Sequence, residues 1–468
     1  MIYQHLFESV KEPKTVVAGL IGAGEFGGTV VSQGSCVPRL KIQVVADVNL
    51  ANGRQAYNLA GIPNEDIVVC DNRAAILQAM QTGKYVLVED GMLLMDLPLH
   101  VITTCTRSPE AGARFASEAI RNGKHVVMVD KEADSVVGPV LKNMADRAGV
   151  VFTTDDGDEP GLLMGLVGWA RSLGMEVLSG GNTHKVMFNP IDWTVTTRGR
   201  TVHIPEKDRW AMTRIPEGKA LQYTEVRRRL FEPFRIDEEC GDPMCHMAVA
   251  ANGTGLLPDV PNGHRPVLTW RELPQVLCPV EEGGINRIRS TVDIPAIIVQ
   301  SDEEPNYGGS IYIVITCNNQ HAMQAMICKG LMPNRRGTTG VLYRPYHLCG
   351  AETSMSIMCA GLLGIPTGSH EVLPHVDIIV EARRDFKAGE TFGPSGTTGW
   401  NRDFKCSLIP GFRVGPAKPL PFFMLEGNRL SQDVPSGTIF TMDMLEQPAS
   451  SALWSLRGQQ DDIFYPEV

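Results

Sequence analysis

Short apolar runs alternate with longer amphipathic segments over the first part of the chain. The runs include "TVVAGLI", "KIQVVADV", "VITTCT" and "KHVVMVD". Each has the length of a strand buried on both faces, and the segments between them are long enough for helices. Strand and helix in this rhythm predict βαβ units. We therefore expect a doubly wound parallel sheet of the Rossmann type over residues 1–160.

The pattern changes after residue 160. Runs such as "STVDIPAIIVQS" and "GSIYIVITCN" predict strands that mix with helical segments, which is typical of an α+β domain over residues 161–370. From 371 to 468, short strands separated by Gly and Pro turns predict a small all-β module and a partly mobile tail. The fold class is therefore predicted to be α/β, with these three parts in order.

The stretch "GLIGAGEFGG" places three glycines directly after the first strand. Gly22 would allow a tight turn, Gly24 a close approach of a pyrophosphate, and Gly27 close packing of helix on strand. Asp47 ends the next strand, where an acid binds the ribose of a dinucleotide. The alternative is a structural turn in an unrelated α/β unit. The predicted cofactor-binding residues are Gly22, Ala23, Gly24, Glu25, Phe26, Gly27, Asp47, Thr104, Cys105 and Thr106.

Composition narrows the class of protein. The net charge of −10 argues against general binding to nucleic acid or to an anionic membrane. The 11 cysteines have irregular spacing and form no CxxC pair, which argues against a disulfide framework or a zinc site. The chain shows no secretion signal pattern and no apolar run of membrane-spanning length. We expect a cytoplasmic protein with reduced thiols that acts on a small molecule.

Two lysines are candidates for proton transfer. Hydride transfer to a carbonyl group needs a proton donor within hydrogen-bond reach of its oxygen. Lys131 closes the strand "VVMVDK", at the strand end where ligands bind in such sheets, and Lys185 follows a strand-like run in the next domain. The alternative for each is an exposed surface lysine. Cys105 is predicted to be a packing residue and not a nucleophile.

The stretch "TTDDGDEPG" crowds four carboxylates into five positions. Such crowding raises pKa values or recruits a cation. Asp158 and Glu159 are the candidate ligands for Mg²⁺ or Mn²⁺. The alternative is a helix N-terminus, because acids before Pro160 complement the helix dipole.

The string "YRPYHL" brings together Arg344, Tyr346 and His347. An arginine suits a bidentate contact with a phosphate or carboxylate, and a histidine suits acid–base work near neutral pH. The alternative is a loop whose rings pack into the core. Asn252 and Thr254, in "ANGTG", either line a substrate pocket or build a turn.

Several of these strings together resemble a known family. "VVMVDKEAD", "GDEP", "MAVAANGTGLLPD", "EEGG" and "YRPYHL" are similar to strings of the homoserine-dehydrogenase-like superfamily and, more closely, of the deoxyxylulose-phosphate reductoisomerase-like (DRL) enzymes. "VEARRDFKAGETFG" and "PFFMLEGNRLSQDVPSGTIFT" resemble the SAF-type β-clip module of the same proteins. The resemblance implies a homodimeric NAD(P)-dependent oxidoreductase whose central domain is catalytic and forms the dimer. The family activity converts deoxyxylulose-5-phosphate to methylerythritol-4-phosphate.

Two departures from the family pattern bear on the function. Asp47 stands where the reductive members have basic residues, and a carboxylate there repels a 2′-phosphate, which favours NAD with NADP as the alternative. His246 stands in "PMCHMA" where the family has a glutamate, so it joins the catalytic candidates. The alternatives to a reductoisomerase on a small anionic hydroxy-carbonyl or sugar phosphate are a plain hydride-transfer enzyme and a non-catalytic nucleotide-binding sensor.

Overall fold

The computed structural model describes residues 2–11, 14–197, 199–234, 241–301, 309–394 and 400–466, without the side chains of residues 242 and 401. Within these ranges the α-helices are α1 Ile2–Ser9, α2 Glu25–Gly34, α3 Leu50–Leu59, α4 Arg73–Gln81, α5 Pro109–Arg121, α6 Lys131–Ala148, α7 Glu159–Ser172, α8 Ala220–Phe231, α9 Asp242–Thr254, α10 Leu273–Val276, α11 Gln320–Cys328, α12 Thr353–Met358, α13 Trp400–Asp403 and α14 Ala452–Phe464.

The strands in the same ranges are β1 Val16–Ile21, β2 Leu40–Ala46, β3 Ile67–Val69, β4 Tyr85–Val88, β5 Val101–Thr104, β6 His125–Met128, β7 Phe152–Thr154, β8 Glu176–Asn182, β9 His184–Asn189, β10 Thr194–Thr197, β11 Arg200–His203, β12 Val267–Leu268, β13 Thr291–Val292, β14 Ala296–Val299, β15 Ile311–Thr316, β16 Met332–Pro333, β17 Thr339–Arg344, β18 Val376–Ala382 and β19 Phe404–Pro410.

The N-terminal part is a seven-stranded sheet in the order β3-β4-β2-β1-β5-β6-β7. Every neighbouring pair in it is parallel. Val16, Ala18 and Leu20 of β1 are fully buried, as a strand covered by helices on both faces requires. The strand order reverses between β1 and β5, so their carboxyl ends open a crevice there. The predicted Rossmann sheet is confirmed.

The central part contains two mixed five-stranded sheets. Their strand orders are β11-β10-β9-β14-β12 and β13-β8-β15-β17-β16. β8 and β9 belong to different sheets and are separated only by Thr183, so the chain passes from one sheet to the other at that residue. Helices α7 and α9 pack against each other beside β8. The predicted mixture of strands and helices is confirmed.

The C-terminal part is built around the antiparallel pair β18–β19. Isolated bridges, such as Phe386 with Val434 and Leu430 with Leu445, extend this pair into a small β module. Its core is aromatic: Phe386 stacks on Phe404 with ring centroids 5.3 Å apart. A small antiparallel module is therefore confirmed, and its assignment as a SAF domain stays a prediction.

Packing connects the three parts more closely than the predicted limits suggest. Helix α12 and the π-helical turn Cys359–Leu363 pack on the Rossmann sheet, where Ile357 and Ala360 are fully buried. Helix α14 packs against α5 and α6. The tail predicted to be partly mobile is "GQQDDIFYPEV", residues 458–468, and the prediction is wrong for its first part, because α14 continues to Phe464 and buries Gln460 and Asp461.

Long apolar helices are missing from the described ranges, in which no helix could cross a membrane.

Candidate active site

The glycine-rich turn has the geometry that a pyrophosphate requires. Gly22 has φ +93°, and a Cβ there would lie 2.3 Å from the carbonyl oxygen of Cys105. A Cβ on Gly27 would lie 2.0 Å from the carbonyl oxygen of Gly22. A Cβ on Gly24, in contrast, would meet no atom within 4 Å. Two glycines are therefore needed for packing, while Gly24 leaves open space at the start of α2, whose N-terminus attracts anions.

Asp47 follows β2 and lies beside this turn. Its Oδ2 accepts a hydrogen bond of 2.6 Å from the backbone N–H of Ala23, and its Oδ1 accepts one of 2.8 Å from that of Asn49. The carboxylate is thus held at the edge of the glycine turn. An ionised carboxylate has further lone pairs, which can accept bonds from ribose hydroxyls.

A cavity of about 360 Å³ opens from the turn. Its lining combines the glycine turn, the loops after β5 and β6, and Cys349, which is distant in the sequence. The lining residues are Gly24, Glu25, Phe26, Gly27, Thr29, Cys105, Arg107, Val129, Asp130, Lys131, Glu132 and Cys349. The crevice predicted where the strand order reverses, between β1 and β5, is therefore present as a cavity, which we call the nucleotide pocket.

Only part of the cofactor-binding set that was predicted in the loop after β5 lines the nucleotide pocket. Of Thr104, Cys105 and Thr106, only Cys105 lines the nucleotide pocket. The hydroxyl of Thr104 contacts the sulfur of Met128 in the core, and that of Thr106 lies 3.3 Å from the carbonyl oxygen of Ser108. Burial raises the pKa of the Cys105 thiol well above its usual value, so the thiol is un-ionised and a poor nucleophile.

Asp130 stands where β6 leads into α6. It is 1% exposed, and its Oδ1 accepts a 2.7 Å hydrogen bond from the backbone N–H of Arg107. Arg107 has a φ of +57°, so the carboxyl group helps to hold an unfavourable backbone conformation. Burial, and then the Glu132 carboxylate, raise the pKa of Asp130 to about 7.

Lys131 begins α6 and forms an ion pair with Asp158, the N-cap of α7. The other oxygen of Asp158 accepts a 2.8 Å hydrogen bond from the backbone N–H of Glu159. Burial alone would lower the pKa of Lys131, but the Asp158 carboxylate raises it well above its usual value. Asp158 thus caps a helix and also orients an ammonium group that lines the nucleotide pocket. The lysine is 16% exposed in its side chain, so it is not a surface lysine.

Glu159 orients a second group, on α9. Its Oε2 lies 2.5 Å from Nδ1 of His246 and accepts a 2.5 Å hydrogen bond from Asn182. Burial alone would lower the pKa of His246, but the Glu159 carboxylate raises it. Nε2 of His246 is buried without a hydrogen-bond partner among the described residues. A carboxylate on one ring nitrogen and a free second nitrogen form the arrangement of a histidine that transfers protons.

The segment after β17 bends back onto the glycine turn. A Cβ on Gly350 would lie 2.8 Å from the carbonyl oxygen of Phe26, so the two loops are in direct contact. His347 bonds to the carbonyl oxygen of Gly309 through Nδ1 at 2.7 Å. Burial, and then Asp158, raise the pKa of the Cys349 thiol to about 12. This segment thus carries Cys349 to the nucleotide pocket.

Arg344 does not present a free guanidinium group. It forms an ion pair with Glu352 and stacks on the ring of Tyr346 with its carbon 4.8 Å from the centroid. A phosphate or carboxylate of a ligand would therefore have to compete with Glu352 for this guanidinium group. The contact stays a prediction.

Lys185 lies on β9, in the central part. It pairs with Ile297 of β14 and so shares the face of that residue, which belongs to the core around Leu178 and Tyr312. Val186, the next residue, faces the opposite core. The lysine is half-buried, and its proposed catalytic role stays a prediction.

Asn252 and Thr254 lie at the end of α9 and not in the nucleotide pocket. Oδ1 of Asn252 accepts a 3.0 Å hydrogen bond from the backbone N–H of Val376, which ties α9 to β18. The Thr254 hydroxyl donates to the carbonyl oxygen of Ala250 at 2.6 Å. Both line a separate cavity of about 260 Å³ with Arg171 and His375. Their role in lining a substrate pocket stays a prediction.

The comparison with protein families bears on this centre. Residues 157–353 match the model described as the catalytic domain of oxidoreductase DRL. This segment is therefore similar to the catalytic domain of the DRL oxidoreductases. The resemblance drawn from the sequence strings is thereby confirmed, as is the prediction of an oxidoreductase domain. The DRL domain contains Asp158, Glu159, His246 and His347, whereas Lys131 and the glycine turn precede it.

The comparison with curated proteins finds no match. Among solved structures, the chain is similar to GenD2 from gentamicin A biosynthesis in complex with NAD, with 18% identity over 38% of this chain and 46% of that chain and a TM-score of 0.25. It is also similar to an oxidoreductase from Agrobacterium radiobacter in complex with NAD⁺, L-tartaric acid and magnesium, with 12% identity over 38% and 46% and a TM-score of 0.27. The chain spans less than half the length of these two proteins. At such TM-scores, nothing further follows from the likeness.

Among the described residues, Asp158 and Glu159 are directed to different partners. Asp158 pairs with Lys131, whereas Oε2 of Glu159 is taken by His246 and Asn182. The group of potential ligands that contains Asp158 adds a nitrogen of His347 and a sulfur of Cys349, whereas Mg²⁺ and Mn²⁺ prefer oxygen ligands. Asp158 and Glu159 as joint magnesium ligands therefore stay a prediction that the donor set does not fit, and we assign no reaction step to that ion.

Sequence reasoning missed several residues of the site. Asp130 directly precedes Lys131, and Cys349 follows His347 by two positions, so both lie beside strings that attracted attention. Their proximity in the sequence to those candidates was the available signal. Asn182 and Glu352 gave no such signal, because their partners Glu159 and Arg344 act through tertiary contacts.

Proposed function

We propose that this protein is an NAD(H)-dependent oxidoreductase that interconverts the carbonyl and alcohol forms of a small polar hydroxy-carbonyl compound. One observation carries the proposal: a single pocket joins the open glycine turn at Gly24 to the oriented ammonium group of Lys131. The turn is a site for a dinucleotide, and the ammonium is a proton donor at the end where the nicotinamide would lie. The match to an oxidoreductase catalytic domain supports the same class.

Lys131 is the general acid in the direction of reduction. A nicotinamide bound in this pocket would supply the hydride to the carbonyl carbon. The raised pKa of Lys131 keeps its ammonium group protonated near neutral pH, so it can donate a hydrogen bond and then a proton to the carbonyl oxygen. Asp158 holds the ammonium group in position for this transfer.

His246 is the second proton carrier. Its Nδ1 is held by Glu159, so its unpartnered Nε2 can exchange a proton with the substrate or with Lys131. The Lys131 ammonium lowers the pKa of His246, which places the two groups within electrostatic reach of each other. The adjacent acids Asp158 and Glu159 thus orient two different proton-transfer groups.

NAD(H) is the proposed cofactor, since Asp47 lies where a 2′-phosphate would have to fit. Asp47→Ser should shift the preference towards NADP(H) by about tenfold, or 1.4 kcal/mol. Dissociation constants for both reduced cofactors, measured by fluorescence, test this. A preference of the unmodified protein for NADPH would refute it.

The family activity on a sugar phosphate is the less favoured alternative. Rearrangement of carbon atoms needs a divalent ion on two adjacent substrate oxygens, and the magnesium ligands predicted for it do not fit. Arg344, the proposed anchor for an anionic group, is paired with Glu352. We therefore favour plain hydride transfer. Assembly as a homodimer is proposed only from the family resemblance, and a cytoplasmic location from the irregular spacing of the cysteines.

Binding of the reduced cofactor tests the pocket directly. Gly24→Val places a side chain in the open space without a clash, so it should weaken NADH binding at least tenfold, about 1.4 kcal/mol, in a folded protein. Gly28→Ala, on the same helix and also with open space at Cβ, is the matched control and should bind NADH normally. Equal NADH affinity in the two variants would show that the cofactor binds at another site. A panel of hydroxy-carbonyl compounds, followed by nicotinamide absorbance, then identifies the substrate.

A further inference from the structure

Three donor atoms of different chemistry meet beside the nucleotide pocket, which Cys349 lines. A carboxylate oxygen of Asp158, a ring nitrogen of His347 and the sulfur of Cys349 lie within 4.8 Å of one another. Asp158 caps α7, whereas His347 and Cys349 sit on the segment after β17, so only the fold brings them together. We propose that these three side chains bind one divalent ion of the zinc class, which deepens and rests on the proposed oxidoreductase function.

His347 is oriented as a metal ligand from outside the group. Its Nδ1–H donates to the carbonyl oxygen of Gly309 at 2.7 Å, so Nε2 carries the lone pair. A histidine that ligates a metal usually makes this kind of bond with its other nitrogen, because the bond fixes both tautomer and ring direction. A Cβ on Gly309 would lie 2.4 Å from Cε1 of His347, so the loop also fixes the ring by contact.

A buried acceptor atom lies near the three donors. The carboxyl group of Asp155 is fully buried and lies within electrostatic reach of the Cys349 thiol. Its Oδ1 has no hydrogen-bond partner among the described residues. An ionised carboxylate has about four lone-pair sites, so Asp158 can bind a metal and still accept a bond from Lys131.

The donor set selects the metal. Thiolate and imidazole ligands favour zinc and similar ions, whereas Mg²⁺ takes oxygen ligands. Three protein ligands leave a fourth position open, as in catalytic zinc sites. Cys349 and Lys131 both line the nucleotide pocket, so the ion would lie beside that pocket. The inference reverses the expectation, drawn from cysteine spacing alone, that the chain has no zinc site.

Cobalt substitution tests the site without measuring activity. A Co²⁺–thiolate bond gives an intense charge-transfer band in the near ultraviolet. The purified full chain, stripped of metal, should develop this band on addition of Co²⁺ and saturate at about one ion per chain. Cys349→Ser should lose the band. His347→Gln should weaken Co²⁺ binding by roughly a hundredfold and decides the question if Cys349→Ser fails to fold.

The control is Cys105→Ser, which changes another thiol in the same pocket and should keep the band. A missing band in the unmodified protein, or one that survives in Cys349→Ser, would overturn the inference. NADH binding, measured in the same samples, separates the two proposals. Normal NADH binding without a cobalt band rejects only the metal site, whereas a cobalt band without NADH binding rejects only the proposed function.

Discussion

Two buried ionic clusters in this molecule use similar residues in opposite ways. In the C-terminal part, Arg457 is fully buried, and each of its guanidinium nitrogens donates a hydrogen bond. Its partners include Asp377 at 2.5 Å and 2.9 Å and Asp461 at 3.0 Å. Those carboxylates also accept bonds from the backbone N–H groups of Phe412 and Val414. Nothing in this cluster is left for a ligand.

The cluster around Lys131 is left incomplete. Lys131 pairs with Asp158 and His246 with Glu159, but Nε2 of His246 and Oδ1 of Asp155 are buried without partners among the described residues. Such atoms cost free energy unless something binds them. The first cluster therefore fixes structure, and the second is prepared for substrate, cofactor or metal. Both clusters contain buried charge. They differ because all the hydrogen-bonding atoms described for the Arg457 cluster have partners, whereas two atoms near Lys131 have none.

Removing the arginine of the complete cluster should give the largest effect. Arg457→Ala leaves two buried carboxylates unpaired, so the free energy of unfolding should fall by about 3–5 kcal/mol. Chemical denaturation measures this. Arg336→Ala, which breaks the exposed pair with Glu217, is the control and should cost less than about 1 kcal/mol. Equal losses of unfolding free energy in the two variants would contradict the structural role of the Arg457 cluster.

Removing the ammonium group of the incomplete cluster should act mainly on catalysis. Lys131→Ala should lower kcat by roughly a hundredfold to a thousandfold, because a general acid contributes that much. NADH affinity should change little. Lys185→Ala is the matched comparison, since this lysine was predicted for the same role but lies on β9. If Lys185→Ala shows the larger loss, the proton donor has been assigned to the wrong lysine.

His246→Gln should have a smaller effect on catalysis. Glutamine keeps a polar group near Glu159 but cannot carry a proton, so kcat should fall by about tenfold to a hundredfold. The raised pKa of His246 should also disappear from the pH dependence of kcat. An unchanged pH profile would show that His246 is only structural.

The smallest effect concerns an acid buried beside the site. Asp134 accepts a 3.0 Å bond from Thr154, and burial raises its pKa to about 7. The folded state therefore holds a proton more tightly than the unfolded chain does. The stability that this gives is complete at pH values below the unfolded pKa and is lost as the pH rises to about 7. Asp134→Asn should flatten this decline by about 1–2 kcal/mol between pH 5 and pH 7. Denaturation curves of both proteins over that range decide it, and parallel pH profiles would contradict the assignment.

The sequence by itself determined the parts whose signals are local. Apolar runs of strand length with helices between them specified the Rossmann sheet, because both faces of each strand must be buried. The spacing of Gly22, Gly24 and Gly27 after a buried strand specified the turn, and a Cβ on Gly27 would clash with the carbonyl oxygen of Gly22. Lys131 was also found in this way, because a side chain at the carboxyl end of a strand faces the crevice.

Only the tertiary structure decided which partner each site residue contacts. Asp158 and Glu159 are neighbours in the chain and were taken as joint metal ligands, but α7 turns them towards different partners, Lys131 and His246. Cys349 reaches the pocket because its segment packs back on the glycine turn. No local pattern encodes these pairings. They depend on the directions of side chains from elements far apart in the sequence, which are set only when the elements pack.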